Sequence, residues 1–229
     1  MSNFIPSTES ITIANKTLRS NGSSVFDKEG NIRSIVAQFV FKHFNTDDRI
    51  CDYGAGKNAI QTMWLRANGF QHVDPHDFGA NKPVDERFGR NYDVIFASNV
   101  INVADSAEMI EWDFRDMKSH ARNGATIVWN YPDTPRKANL NFVDVVLIAC
   151  HIFGAKNVNI FDPKKNLVIC HVEHNYSVHK VTCLNGYWDG EADTEIWYCV
   201  DSDGEPYLET TDEEVAYEIL GRDWRKTEN

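Results

Sequence analysis

The sequence predicts an α/β fold with a doubly wound, mostly parallel sheet that ends in an antiparallel β-hairpin. Short apolar strands alternate with segments whose apolar residues repeat at helical spacing, from about residue 32 to residue 174. The last two strands of this region are separated only by the turn DPKKN, which is typical of a hairpin. Right-handed crossovers between the parallel strands then leave few topologies.

The first elements of this region surround a glycine-rich turn. Apolar residues at helical spacing from Ile32 to Val40 predict one buried helix face. The strand RICDY follows and runs into Gly54 and Gly56. A second helix ends at Gly69, and the next strand is expected over Phe70 to Asp74. The order strand, glycine-rich turn, helix is therefore predicted at the centre of the domain.

The same alternation continues to the hairpin. Asp105 and Glu108 have capping-box spacing ahead of a helix that carries apolar residues at Ile110 and Phe114. A nearly all-apolar helix follows over Leu140 to Phe153. The remaining predicted strands are YDVIF from Tyr92, ATIVW from Ala125, VNIF from Val158 and LVICHV from Leu167.

The chain divides into three regions by pattern. Residues 1–31 are polar and are expected to lie over the domain or to remain partly mobile. Residues 32–176 form the α/β domain, and residues 177–229 form a small C-terminal appendage. Within the appendage, SVHKVTCL, TEIWYCV and EPYL predict a β-meander, and a helix is expected from TTDEE to Gly221.

Charge and composition restrict the function. The net charge of −11 opposes the attraction to phosphate backbones that drives sequence-independent nucleic-acid binding, although Arg136 and Lys137 could form a local basic face. No apolar run approaches the ~20 residues of a membrane span, so no membrane partner is expected. The N-terminal residues lack the pattern of a secretory signal, and the five cysteines show no CxxC spacing. We therefore expect a cytoplasmic protein with reduced thiols.

The segment DYGAGKN at residues 52–58 carries the chemistry of the predicted ligand site. Glycines let the backbone approach a ligand closely, and the following helix offers unpaired N–H groups. Asp74 lies about 20 residues further on, where a carboxylate at a strand end can accept both ribose hydroxyl hydrogens. This combination indicates a ligand that contains adenosine.

On these residues the chain resembles the class I S-adenosylmethionine-dependent methyltransferases, whose first motif has an acidic residue followed by Gly-x-Gly. The resemblance covers about residues 32–174, and it includes YDVIFASNVINV and the terminal hairpin. It implies a Rossmann-like domain that binds S-adenosylmethionine and transfers its methyl group to an acceptor. The chain departs from the family at Lys57 and Asn58, which replace a third glycine, and between Phe78 and Tyr92, which is too short for a clear third strand.

The resemblance also assigns cofactor-binding residues. It implies that Asp52, Gly54 and Gly56 hold the methionine part and that Asp74 binds the ribose. It places Phe78 with the cofactor-binding residues, and Ser98 at the border of the cofactor or the acceptor.

A narrower resemblance concerns the acceptor. The pair Asp74 and Pro75 is similar to the acid-proline pair that ends the second strand in methyltransferases of phage and bacterial DNA-modification loci. This resemblance implies a nucleotide or nucleic-acid acceptor, against which the net charge argues.

Methyl transfer from a sulfonium needs mainly alignment of donor and acceptor, with proton removal when the nucleophile is an amine or a hydroxyl. The loop NYPDTPRK and residues Asn99 and Asn102 are expected at the carboxyl edge of the sheet, where ligands bind in open α/β folds. Asn99, Tyr131 and Asp133 are therefore the candidate catalytic residues. The acceptor itself, whether a small molecule or a nucleotide, is left open.

Each of these features has a structural alternative. A Gly-x-Gly turn also occurs in α/β domains that bind no nucleotide, and Asp74 with Pro75 could simply end a strand. Asn99 and Asn102 could be turn residues. At the level of function, the alternatives are a non-catalytic protein that binds or sequesters S-adenosylmethionine, and a nucleotide-dependent oxidoreductase, which the incomplete GxGxxG disfavours.

We interpret the other clusters as structural, and no metal is expected. Strand alternation puts His72, Asp74 and His76 on one face, but a metal site there is the minor reading. The same holds for the histidines at 171, 174 and 179 and for DSDG at 201–204, which lacks the later ligands of a calcium loop. Aromatic residues of the appendage are expected to form its own core, and they are Tyr187, Trp188, Trp197, Tyr198 and Tyr207.

Overall fold

The structure is a computed structural model, and it describes residues 5–17, 25–84, 86, 88–89, 91–174 and the backbone of 177–183, 194–200 and 206–210. It separates into two compact units, Met1–Val172 and Glu173–Asn229. The described helices are α1 (Thr8–Thr17), α2 (Ile35–His43), α3 (Ile60–Ala67), α4 (Ala107–His120) and α5 (Phe142–Phe153). The strands of the first unit are β1 (Ile50–Tyr53), β2 (Val73–His76), β3 (Tyr92–Ala97), β4 (Ala121–Asn130), β5 (Val158–Asp162) and β6 (Leu167–His171).

The six strands form one mixed sheet in the order β2-β1-β3-β4-β6-β5. The strands β1 to β4 are parallel to their neighbours, and β6 is antiparallel to both β4 and β5. The predicted Rossmann-like α/β sheet with a terminal hairpin is confirmed. The chain passes from β2 at one edge to β3 on the other side of β1, so the strand order reverses between β1 and β3, where ligands bind in open α/β sheets.

Helices cover both faces of the sheet, as a doubly wound fold requires. On β3, Val94 and Phe96 belong to the core under α2 and α3, whereas Ile95 and Ala97 belong to the core under α4 and α5. Successive side chains of a strand point to opposite faces, so a strand covered on both sides is apolar throughout. The continuous apolar run YDVIF is explained by this double burial.

Local hydrogen bonds set the helix starts, and some differ from the predicted ones. Ser34 caps α2 through the N–H of Ala37, so the helix begins three residues after Ile32. Ser106, not Asp105, caps α4, and its hydroxyl accepts the N–H of Met109. Short polar side chains at these positions accept otherwise unpaired N–H groups of the first turn.

The second strand also differs from prediction. We expected Phe70 to Asp74, but β2 runs from Val73 to His76, with Pro75 opposite Asp52. Proline cannot supply an N–H to a ladder, but β2 is an edge strand and needs partners on one side only. Pro75 therefore lies within the strand, and the residue that follows the strand end is Asp77.

The polar N-terminal region contains α1, a helix that the sequence pattern did not predict. Several contacts join α1 to the turns at Gly79–Asn81 and Ile101–Val103, which follow β2 and β3. The helix therefore lies at the carboxyl edge of the sheet. Within the described residues, none of the helices combines the length and apolar character that a bilayer crossing requires.

The C-terminal unit contains the predicted meander. Strands β7 (Ser177–Cys183), β8 (Thr194–Val200) and β9 (Pro206–Thr210) form an antiparallel sheet in chain order. The helix expected from TTDEE to Gly221 and the aromatic core of this unit lie outside the residues and side chains that the structure describes.

Candidate functional site

A cavity opens at the carboxyl edge of the sheet, beside the ends of β1, β2 and β3. Its wall is mainly apolar, with a few polar side chains. The lining residues are Ile11, Ala14, Gly54, Asp77, Phe78, Asn99, Val100, Val103, Ala104, Met109, Trp112 and Asp113. The predicted residues Gly54, Phe78 and Asn99 are brought together here. A largely apolar pocket with a few polar groups at a strand-order reversal is typical of a ligand site in an α/β domain.

The glycine-rich turn after β1 forms one side of the cavity. The N–H groups of Gly54 and Ala55 both donate to the carbonyl of His76, at 2.8 Å and 2.9 Å. Gly54 has φ +77°, and a Cβ built there would lie 2.3 Å from Cγ2 of Val100. The turn therefore requires glycine for its backbone angle and for its close contact with the loop after β3.

Asp77 connects this turn to the cavity. Its Oδ2 accepts the N–H of Gly56 at 2.7 Å, and its Oδ1 accepts the N–H of Phe78 at 2.6 Å. The side chain is buried, and burial raises the pKa of Asp77 to about 6 although the two N–H donors favour the ionised form. Each carboxylate oxygen can accept a further hydrogen bond, so Asp77 has capacity for ligand hydroxyls.

The two acids chosen from the sequence are placed elsewhere. Asp74 lies inside β2 and accepts the hydroxyl of Tyr92 at 3.2 Å, and it does not line the cavity. Asp52 lies beneath the turn, where Oδ2 accepts the N–H and the hydroxyl of Thr62 at 3.1 Å and 2.8 Å. Burial raises the pKa of Asp52 to about 7. The position predicted for Asp74, at the end of the second strand beside the turn, is held by Asp77.

Asn99 lies at the cavity rim with its amide held in place. Its backbone N–H donates to Oδ1 of Asn130, and Nδ2 of Asn130 donates to Oδ1 of Asn99, both at 2.8 Å. Asn99 has φ +58°, an angle that asparagine tolerates better than most residues. The Ser98 side chain does not line the cavity, and its hydroxyl lies 2.8 Å from that of Ser34.

The other two catalytic candidates do not reach the cavity. Tyr131 is fully buried and its hydroxyl donates to the carbonyl of Leu140 at 3.1 Å. The Asp133 side chain is 87% exposed and pairs with Arg136, whose guanidinium also lies over the Tyr131 ring. These contacts stabilise the loop after β4, and neither Tyr131 nor Asp133 is among the residues that line the cavity.

Helix α4 supplies the far wall of the cavity, which the sequence analysis missed. Phe78 and Trp112 meet edge to face, with ring centroids 5.3 Å apart. Asp113 is fully buried, and burial together with nearby Asp116 raises its pKa well above the usual range. The sequence did contain a signal for Asp113. This acid occupies a position of the buried helix stripe that also carries Met109 and Met117, where an apolar residue is expected.

Helix α1 covers part of the same cavity. Ile11 and Ala14 are both half-buried and belong to the lining. The apolar pair, three residues apart, lies on one helix face. In the sequence, this pair is not part of a longer apolar stripe, so the segment could not be distinguished from a polar loop.

The histidine clusters form no metal site in the part of the chain that the structure covers. Nδ1 of His76 is 2.6 Å from Glu86, its ring stacks on Phe88, and burial lowers its pKa to about 4. His72 is exposed. Among the described residues, no three His, Cys, Asp or Glu side chains lie close enough to hold a metal ion.

Fold and site together define a Rossmann-like α/β domain with a cavity at the carboxyl edge of its sheet. No protein-family model matches the chain, and no curated protein matches it in sequence. Solved structures similar to it include a TehB-like SAM-dependent methyltransferase from Corynebacterium glutamicum, with a TM-score of 0.47 and 12% identity, covering 63% of this chain and 90% of that one.

Two further similar structures were solved with a ligand. A SAM-dependent methyltransferase from Bacteroides fragilis in complex with S-adenosyl-L-homocysteine has a TM-score of 0.40 and 16% identity, covering 69% of this chain and 91% of that one. Magnesium protoporphyrin IX methyltransferase from Synechocystis with bound SAM has a TM-score of 0.44 and 15% identity, covering 75% and 98%. At such identities the likeness concerns the fold alone.

Proposed function

We propose that this protein is an S-adenosylmethionine-dependent methyltransferase. The observation that carries the proposal is the position of Asp77. Its buried carboxylate accepts the N–H of Gly56 and lines a mainly apolar cavity. An adenosine ligand needs a carboxylate for its ribose hydroxyls, a close backbone approach and an apolar surface for its base. Asp77, the turn at Gly54 and the rings of Phe78 and Trp112 fit these three needs.

The residues of the cavity then have separate roles. Asp77 accepts hydroxyl hydrogens, Gly54 allows close approach, and Phe78 packs against the base. Asn99 presents an amide at the rim, where its two hydrogen bonds with Asn130 fix its orientation for an incoming acceptor. When bound, S-adenosylmethionine supplies an electrophilic methyl group on a sulfonium. The chain's own task is to align that group with an acceptor and to exclude water, which the apolar wall of Val100, Val103 and Met109 does.

The acceptor is expected to be neutral or cationic. The chain has a net charge of −11, and the cavity is lined by Asp77, whose pKa of about 6 leaves it mostly ionised at neutral pH. A polyanionic acceptor would be repelled at long range and again at the cavity. A neutral or cationic acceptor meets neither barrier.

The test is a calorimetric titration with S-adenosylhomocysteine and, separately, with NAD as the comparison ligand. We expect the wild-type protein to bind S-adenosylhomocysteine and to bind NAD much more weakly. Asp77→Ala should lose about tenfold to a hundredfold in affinity, because charge-assisted bonds are removed. Asp74→Ala is the matched control, since that acid lies outside the cavity lining.

Three results would contradict the proposal: no binding of S-adenosylhomocysteine at millimolar concentration, equal binding of NAD, or equal losses in both variants. Turnover of labelled S-adenosylmethionine with a mixture of small-molecule acceptors then tests transfer itself. Binding without any turnover would favour the non-catalytic S-adenosylmethionine-binding protein.

A further inference from the structure

The far wall of the cavity contains a carboxyl group, that of Asp113, to which the proposed function assigns no role. Asp113 projects from α4 one turn after Met109 and next to Trp112, and all three line the cavity. It is 2% exposed. Asp77 and Asn99, by contrast, follow the ends of β2 and β3, so among the lining residues Asp113 is the acidic side chain that a helix supplies.

The hydrogen bonding of Asp113 is incomplete within the described residues. Its one hydrogen bond comes from the hydroxyl of Tyr53, at 3.4 Å from Oδ1. The same hydroxyl lies 2.9 Å from Oδ2 of Asp116, which is the shorter and stronger contact. A phenol has a single hydrogen to donate, so Asp113 keeps acceptor capacity that Tyr53 does not fill. A buried carboxyl group with unfilled acceptors costs free energy that a ligand donor recovers.

The surroundings restrict what that donor can be. The cavity next to Asp113 is lined by Trp112, Phe78 and Met109, so the group that carries the donor has to be flat and largely apolar. Aromatic side chains accept such a ring on their faces or edges. Adenine has this character, and its exocyclic amine supplies hydrogen-bond donors at one edge.

Resting on the proposed function, we propose that Asp113 is a specificity-determining residue that accepts a hydrogen bond from the exocyclic amine of the adenine ring. Asp77 then binds the ribose from the strand side, and Asp113 binds the amine from the helix side. A purine without the amine leaves the buried carboxyl group unsatisfied, and this penalty gives the discrimination.

The experiment compares two ligands on the full chain by calorimetry. One is S-adenosylhomocysteine, and the other is its analogue in which a hydrogen atom replaces the amine of the base. We expect wild-type protein to bind the amine-bearing ligand about tenfold to a hundredfold more tightly. Asp113→Leu, close in size and without acceptors, should bind the two ligands about equally. Asp113→Asn, which keeps a carbonyl oxygen, should retain the preference.

Asp116→Asn is the matched control, because Asp116 shares the Tyr53 hydroxyl but does not line the cavity. It should keep the wild-type preference for the amine. Equal affinity of the two ligands for wild-type protein would overturn the role of Asp113 without any variant, and so would an undiminished preference in Asp113→Leu. Failure of the wild-type protein to bind S-adenosylhomocysteine at all would instead overturn the proposed function.

Discussion

At the scale of single residues, the position of an acid relative to the glycine turn decides whether it can serve a ligand. Asp52 and Asp74 lie in the neighbouring strands β1 and β2, and Asp77 follows β2, yet among the three only Asp77 lines the cavity. Asp52 is occupied by Thr62, and Asp74 contacts Tyr92. The chemical type of the three residues is identical, so the difference comes from where the backbone places each side chain.

Gly54 and Gly56 offer a matched comparison. Both have positive φ, so alanine at either position should cost about 1–2 kcal/mol of unfolding free energy from backbone strain. At Gly54 the new Cβ also meets Val100 at 2.3 Å, whereas nothing lies within 4 Å of one at Gly56. We expect Gly54→Ala to lose about 1–3 kcal/mol more than Gly56→Ala in urea unfolding, because of overpacking.

A second substitution checks the cause of that difference. Adding Val100→Ala to Gly54→Ala removes the atoms that the new Cβ meets, so the double variant should lose less than the sum of the two single variants. Additive losses would mean that the contact with Val100 is not the source of the extra cost.

Asp52 should make stability depend on pH. Its folded pKa of about 7 lies above the ordinary value of 3.8, so between these values the folded state binds more protons than the unfolded state. Stability therefore falls as pH rises from about 4 to 7, by at most about 4 kcal/mol from this residue. Asp52→Asn keeps an acceptor for Thr62 and should flatten that fall in urea unfolding curves measured from pH 4 to pH 8.

Asp77, with its pKa raised to about 6, acts in the same direction, so some pH dependence should remain in Asp52→Asn. The exposed Asp133→Asn is the control and should follow the wild-type curve. If Asp52→Asn lost stability at pH 8 relative to wild type, the ionised Asp52 would be a net stabilising group and the expected sign would be wrong.

At the scale of elements, α1 and α4 complete a cavity that the sheet edge begins. The strands supply the turn at Gly54 and the acid at Asp77, while α4 supplies Trp112 and Asp113. Helix α1 adds Ile11 and Ala14 from the N-terminal region of the sequence. The cavity is therefore a product of how these helices pack, as well as of the strand order.

The role of α1 can be measured through one position. Ile11→Asp puts a charge into the apolar wall, so we expect the affinity for S-adenosylhomocysteine to fall about tenfold or more. Thr12→Asp is the control, because it introduces an aspartate on the exposed side of the same helix. It should change the affinity less than about twofold. Calorimetry of both variants distinguishes the two positions, and equal affinities would show that α1 does not contact the ligand.

At the scale of the whole molecule, the described structure consists of two compact units with separate sheets. The first sheet is complete by β6, and Val172 still bonds to Ala125 and Gly124. The three strands of the second unit pair only with one another among the described strands. The unit boundary at Val172 is close to the boundary near residue 176 that the sequence pattern suggested.

We therefore propose that a chain of residues 1–174 folds by itself. It should unfold cooperatively in urea and bind S-adenosylhomocysteine with nearly the affinity of the full chain, because all residues of the cavity lie before residue 114. Circular dichroism and calorimetry check both points. An insoluble or non-binding fragment would mean that the C-terminal strands are required by the main core.

The sequence by itself determined the features that depend on neighbouring residues. Apolar spacing defined most of the helices and strands of the first unit, as in YDVIF and in the stripe from Ile32 to Val40, and the glycines at 54 and 56 marked a turn between strand and helix. These signals are local because hydrogen-bond geometry and face burial repeat over two to four residues. They also led to the hairpin and the mixed sheet.

Only the tertiary structure decided which side chains meet at the cavity. Asp77 replaced Asp74 because Pro75 is tolerated in the edge strand β2, a property of strand order that residues 70 to 77 do not encode. Asp113 and Ile11 joined the same cavity from more than 90 residues apart in the chain. Such convergence depends on the packing of helices against a finished sheet, which periodicity within one segment cannot specify.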